Sequence, residues 1–236
     1  MFKKLKKKIH ILQNIYIKNK YFLRTDSYAM EGEDTAIQKY IKHSNNGFYV
    51  DVGSNHPVQR SNTCLLYKSG WRGINVDLND FTLDLFNYLR PDDINVQAAI
   101  SDYDGYINFY YQKDFSVLNT TDIFWAKENF KNDFQSKKIK CQTLNSLLKE
   151  TKHKNQKINF LNIDVEGAEI KVLKSLDFNI YDPEVLCIEI LGYRHLNGLE
   201  RESAIKFDEV YKFLISKNYK KVWSGSSYSS HIFVKK

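Results

Sequence analysis

Proline and cysteine are scarce in this 236-residue sequence, three of each, and no apolar run approaches the roughly 18 residues of a membrane span. With so few prolines and 14% aromatic residues, it does not read as a disordered or collagen-like polymer. Cys64, Cys141 and Cys187 are far apart, odd in number and set in apolar segments, and no C-x-x-C pair occurs. A cysteine zinc cluster is thereby excluded, and the thiols read as core residues of a soluble protein in a reducing, cytoplasmic compartment.

Acidic residues are missing altogether from residues 1–24, which hold eight Lys/Arg. The formal net charge of +7 therefore originates there, because the rest of the chain has 27 basic against 28 acidic residues. A nearly neutral body excludes a globally basic groove, so no nucleic-acid partner is expected. The leader lacks a continuous apolar stretch and a small-residue cleavage site, and so makes a poor signal peptide. Ile9, Leu12, Ile15 and Tyr16 recur at helical spacing. That predicts a basic amphipathic helix, packed on its own domain or docked on a partner or an anionic membrane surface, such as the membrane's inner face.

Residues 25–236 read as a single domain. "GFYVDVGS", "RGINVDLN", "INVQAAIS", "INFLNIDVEG" and "EVLCIEIL" are short, nearly continuous apolar runs, as strands buried on both faces would be. Helical segments separate them: "SNTCLLYKSG" closed by Gly70, "FTLDLFNYLR" stopped by Pro91, and "AEIKVLKSLDF". A further helix is expected from about Glu202 to Asn218, and "KKVWSG" and "SSHIFVKK" form a closing hairpin. The expectation is an α/β, doubly wound, mostly parallel sheet with an antiparallel C-terminal hairpin, whose ligands lie beyond the carboxyl ends of the strands. Residues 105–140 interrupt the rhythm: "GYINFYYQ" alternates like a strand, but no sustained period comes after it, so the segment reads as an insertion over the sheet.

Polar residues cluster at the expected strand ends. Gly53 permits a sharp turn after strand one, where Asp51 can hold the loop or reach a ligand amine. Asp77 stands 24 residues later, near the spacing at which a nucleoside site places an acid for ribose hydroxyls. Where a pyrophosphate turn requires G-x-G-x-x-G, this chain has Gly53, Asn55 and Val58. Two of three glycines are absent, which disfavours a dinucleotide and favours S-adenosyl-L-methionine, a cofactor without phosphate.

"YVDVGSNHPVQRSNT", "GWRGINVDLND", "VQAAISD" and above all "FLNIDVEGAEIKVLKSLDF" resemble the FkbM family of S-adenosylmethionine-dependent methyltransferases. The resemblance runs from about Phe48 to Leu191, with Asp164, Glu166, Gly167 and Glu169 forming its most distinctive block. It implies a class I, Rossmann-like, seven-stranded fold and methyl transfer to a hydroxyl of a sugar or related small molecule, in many bacterial members within surface-polysaccharide pathways. By carry-over, Gly53, Ser54 and Asn55 surround the methionine moiety, Asp77 with Leu78 faces ribose, and Ser101 and Asp102 edge the adenine. Many members have Glu-Pro where this chain has Asp77 and Leu78.

Transfer to a neutral hydroxyl calls for in-line alignment and a base. His195 on the loop after strand five, His56 in the cofactor turn and Glu189 are the candidates. Asp164, Glu166 and Glu189 could instead hold Mg²⁺. The competing structural reading has Asp164 contact cofactor, Glu166 bond backbone at the next helix and Glu169 complement its dipole. It makes no metal necessary. Aromatics of the insertion, including Phe115, Phe124 and Trp125, suit stacking on sugar rings or a small core of their own. Two other functions fit the same pattern, a nicotinamide-dependent oxidoreductase and a non-catalytic pathway scaffold.

Overall fold

The computed structural model describes residues 2–21, 25–42, 46–112, 119–131, 133–191, 200–227 and 229–236. Helix α1 (Phe2–Leu12) runs into a π-helical turn (Gln13–Lys18), and α2 (Glu33–Gln38) comes next. Five parallel strands then build the centre of the molecule: β1 (Phe48–Val52), β2 (Arg72–Asp77), β3 (Ile94–Gln97), β7 (Phe160–Ile163) and β8 (Val185–Glu189). The hairpin of β9 (Tyr219–Ser224) and β10 (Ser230–Lys235) adds to β8 with β10 antiparallel and inward. The resulting seven-stranded order is β3-β2-β1-β7-β8-β10-β9. Connections run one way from β1 to β3 and the other way from β7 to β8, so the winding reverses between β1 and β7. Ligand crevices open at that reversal in doubly wound sheets.

Burial explains why these runs are strands. All five residues of β1 are buried, with Phe48, Val50 and Val52 in the larger core and Tyr49 in a second core on the opposite face beside Trp71. Around the sheet lie α3 (Cys64–Lys68), α4 (Asp80–Leu89), α6 (Leu144–Lys149), α7 (Glu169–Lys174), α8 (Arg201–Ala204) and α9 (Glu209–Ser216). Caps set several of their starts: Asn79 accepts from the Phe81 amide and Thr143 from that of Ser146. Asp208 caps α9 in an extended conformation, which breaks the single helix expected over 202–218 into α8, a 3₁₀ turn (Ile205–Phe207) and α9.

The expected third strand also divides. β3 ends at Gln97, and Ala99–Ile100 (β4) leaves the main sheet to join a second one with β5 (Gly105–Tyr111) and β6 (Gln135–Gln142), in the order β4-β6-β5. Between β5 and β6 lies α5 (Ile123–Phe130), capped by Asp122. The described residues of the insertion thus form a small lobe, in which Trp125 and Phe130 are buried and Phe124 is exposed. Phe115 lies outside the described residues. The lobe joins the main sheet through Thr120, whose hydroxyl donates to the Glu166 carbonyl at 2.6 Å, and through Trp125, which fills the space beside Gly167.

Candidate active site

A cleft of about 680 Å³ opens over the carboxyl ends of β1, β2 and β7, between the sheet and the insertion lobe. Gly53 sets its floor. It adopts φ +83°, and a Cβ there would stand 1.7 Å from the main-chain oxygen of Asp164. With no side chain, the turn presses against the end of β7, and the Gly53 and Ser54 amides both donate to the Val76 carbonyl at 2.9 and 3.1 Å. Ser54 is buried, lines the cleft and has a hydroxyl oxygen with no protein partner. A buried polar oxygen facing a cleft is a place for a ligand donor or acceptor.

Asn55, at φ +52°, directs its amide to Asp77 Oδ2 at 2.9 Å, while Asn79 donates to Oδ1 at 2.8 Å. Asp77 thus ties the first turn to the second and lines the cleft. Burial raises its pKa to about 6, against the pull of those amide hydrogen bonds. Asp51 lies deeper. Its carboxylate accepts from Thr63 at 2.6 Å and Asn162 at 2.8 Å, and Asn162 accepts in turn from Asn62. The buried Arg90 supports this network from beneath, donating to Thr63, to Ser61 and to the Pro57 carbonyl. Burial pushes the Asp51 pKa up, and its two hydrogen bonds oppose that. Asp51 therefore holds the loop, one of the two roles its position suggests.

His56 is buried and accepts the Val58 and Gln59 amides at Nδ1, with Nε2 3.3 Å from the Asn19 amide. Burial, with the nearby Arg90 charge, lowers its pKa to about 4. Both ring nitrogens are engaged in shaping the loop. Pro57 and Arg90 complete a turn in which α3 begins only at Cys64, so no helix N-terminus meets the end of β1.

At the far wall, the carboxylate oxygens of Asp164, Glu166 and Glu189 lie within 4.8 Å of one another. Asp164 reaches solvent through the cleft, yet surrounding protein and the charges of Asp51, Glu33 and Asp77 raise its pKa to about 6. A hydrogen bond between Asp164 and Glu189 opposes that rise. Three such oxygens can share protons or close around one divalent cation. Glu169 bonds the backbone of the turn, accepting from Val165 and Gly167. Burial raises the Glu169 pKa to about 7.

Ser101 and Asp102 do not line the cleft: Ser101 is fully buried with its amide bonded to Gln142, and Asp102 is exposed beside it. Because β3 stops at Gln97, the strand end at the cleft is Gln97 and Ala98, with the Gln97 amide donating to the Leu78 carbonyl. Leu78 itself lines the cleft. His195 lies outside the described residues. Sequence reasoning misses Glu31 and Glu33, which line the cleft from the segment before β1; neither sits at a strand end, so no periodicity marks them. Burial alone would raise the Glu31 pKa, but hydrogen bonds from Ser226 and Ser227 hold it below the ordinary value.

Three solved structures align with this chain. A methyltransferase FkbM from Methylobacillus flagellatus KT aligns at TM-score 0.54 and 9% identity, over 95% of this chain and 52% of that one. The chain thus spans about half the length of that protein. A precorrin-6y C5,15-methyltransferase from Geobacter metallireducens GS-15 aligns at TM-score 0.42 and 12% identity, covering 92% of this chain and 95% of its own. An O-methyltransferase from Bacillus cereus in complex with SAH gives 0.41 and 11%, covering 97% and 91%. None of the curated proteins compared matches the chain. At such identities the structural likeness is one of fold, whereas the sequence profile of the methyltransferase FkbM domain matches residues 51–221, most of the chain and nearly all of the cleft. The chain therefore belongs to the FkbM methyltransferase family.

Proposed function

We propose that the chain is an S-adenosyl-L-methionine-dependent O-methyltransferase acting on a hydroxyl of a sugar or related small molecule, in the building of a bacterial surface polysaccharide. The observation that carries the cofactor is the pairing of Asp77 with the unpartnered Ser54 hydroxyl at the sheet's reversal point. Asp77 would accept the ribose hydroxyls, Ser54 and the Gly53–Asn55 turn would line the methionine part, and Gln97 with Ala98 would edge the base. Among the described lining residues, Arg60 and Lys137 are the only Lys or Arg beside eight acids, which suits a ligand bearing a sulfonium and an ammonium. A nicotinamide dinucleotide fits poorly, since its diphosphate would find neither a helix N-terminus after β1 nor the glycines that cradle it.

When bound, the cofactor supplies an electrophilic methyl group. The protein's task is then to align an acceptor oxygen, exclude water and take one proton as the oxygen–carbon bond forms and the sulfur–carbon bond breaks. Glu189, which lines the cleft and shares a hydrogen bond with Asp164, would take that proton.

Thermal unfolding with S-adenosylhomocysteine tests the cofactor assignment. At about 100 times Kd a ligand adds about 2.7 kcal/mol, or roughly 5–10 °C for a chain of this size. No shift with S-adenosylhomocysteine, alongside a shift with NAD(P), would overturn it in favour of the oxidoreductase.

A further inference from the structure

The leader presents more apolar surface than its packing uses. Ile11 and Ile15 are buried against Leu85 and Leu89 of α4, and that seam fixes the helix on the domain. A second row, Leu5, Ile9, Leu12 and Tyr16, advances in steps of four, three and four residues, which run along one line of a helix. Its members are 55, 45, 52 and 44% exposed. Ile17 and Tyr21 are more exposed still, and Tyr88 of α4, hydrogen-bonded to Tyr16, extends the patch.

Charge surrounds the row. At about 100° per residue, Lys6 and Lys8 project on either side of it, and both are exposed. Lys7 is drawn away by its pairing with Asp84. No acid occurs in residues 1–24.

We infer that this face of α1 docks on an anionic lipid bilayer, lying in the interface with Leu5, Ile9, Leu12 and Tyr16 inserted and Lys6 and Lys8 at the headgroups. A helix with an apolar row, basic flanks and low overall hydrophobicity has the composition that interfacial binding requires. No described helix is long and apolar enough to cross a membrane, so the contact is peripheral. A nucleic acid would use the lysines but leave four exposed apolar side chains without a partner. The docking would also bring the cleft near the bilayer: α4 contributes Phe81, Thr82 and Leu85 to the cleft wall, and Leu85 packs on Ile11 and Ile15 of α1 as well.

The full chain would be sedimented with vesicles of phosphatidylcholine alone or mixed with phosphatidylserine. Binding to the mixed vesicles only, weakened by high salt, is expected. Lys6→Ala with Lys8→Ala should weaken partition roughly 25-fold, at about fivefold for each lysine. Leu5→Ser with Ile9→Ser should weaken it at least about tenfold. All four side chains are exposed, so circular dichroism melts should match the wild type and separate lost docking from lost fold. Equal binding to neutral vesicles, no binding to either, or variants that sediment like the wild type would overturn the inference. So would retention of RNA or of an acidic protein by a chain that leaves both vesicle types unbound.

Discussion

Gly53→Ala separates the geometry of the turn from the mere presence of a glycine, because Gly70 supplies a control with similar backbone. Both adopt left-handed conformations, φ +83° and +93°, but a Cβ at Gly70 meets nothing within 4 Å. Gly70→Ala should therefore lose only the left-handed penalty, about 1–2 kcal/mol. At Gly53 the new carbon would stand 1.7 Å from the Asp164 oxygen, whereas ordinary contact begins near 3.4 Å. Overpacking of that kind adds roughly 1–3 kcal/mol, for a total of about 2–5. At about 2–4 °C per kcal/mol, melting should fall by roughly 2–8 °C for Gly70→Ala and roughly 4–20 °C for Gly53→Ala. Calorimetric titration with S-adenosylhomocysteine should show weakened binding in Gly53→Ala alone, since only there must β1 and β7 move apart at the cleft floor. Equal melting losses, or unchanged ligand affinity in Gly53→Ala, would refute the close approach as the reason for glycine there.

Asp77→Asn should weaken S-adenosylhomocysteine binding about 10–100-fold through lost charge-assisted hydrogen bonds. In the wild type, affinity should rise with pH through about 6 as Asp77 ionises and then level off, measured by titration across that range. Arg90→Met, which leaves the loop hydrogen bonds and buried acids unpaired, should destabilise the fold by about 3–5 kcal/mol in chemical denaturation. Glu169 has a folded pKa of about 7 against an ordinary 4.5, so its contribution to stability is complete below about 4.5 and lost as pH rises through 7. Stability of Glu169→Gln relative to the wild type should therefore rise over that interval, by at most about 3 kcal/mol. Glu189→Gln should reduce kcat while S-adenosylhomocysteine affinity stays within a few-fold. Turnover that disappears on chelation and returns with Mg²⁺ would reassign Asp164, Glu166 and Glu189 as metal ligands.

The parallel strands are legible in the sequence because full burial on both faces leaves continuous apolar runs, as in Phe48–Val52. β6 is not, since its residues are mostly exposed and its lysine-rich "QSKKIKCQ" carries no alternation. Short helices such as α5 and α6 depend on a capping Asp122 or Thr143 more than on any periodic face. At the site, Gly53 and Asp77 are readable from spacing, whereas the division of strand three at Gln97 depends on pairing with β6, far along the chain. That long-range contact takes Ser101 and Asp102 away from the cleft and leaves Gln97 and Ala98 at its edge. Arg90 carries no local signal for a related reason: its role in the turn at Pro57 exists only once α4 has folded back beneath β1.

Methyl transfer from a cofactor held by Asp77 to an acceptor hydroxyl is tested most directly by mass spectrometry of nucleotide sugars and glycans incubated with the protein and S-adenosylmethionine. The expected result is a gain of one methyl group on oxygen, matched by S-adenosylhomocysteine release and abolished by Asp77→Ala. Methylation that persists undiminished in Asp77→Ala, or a protein that binds the cofactor and transfers nothing to any hydroxyl acceptor, would contradict it.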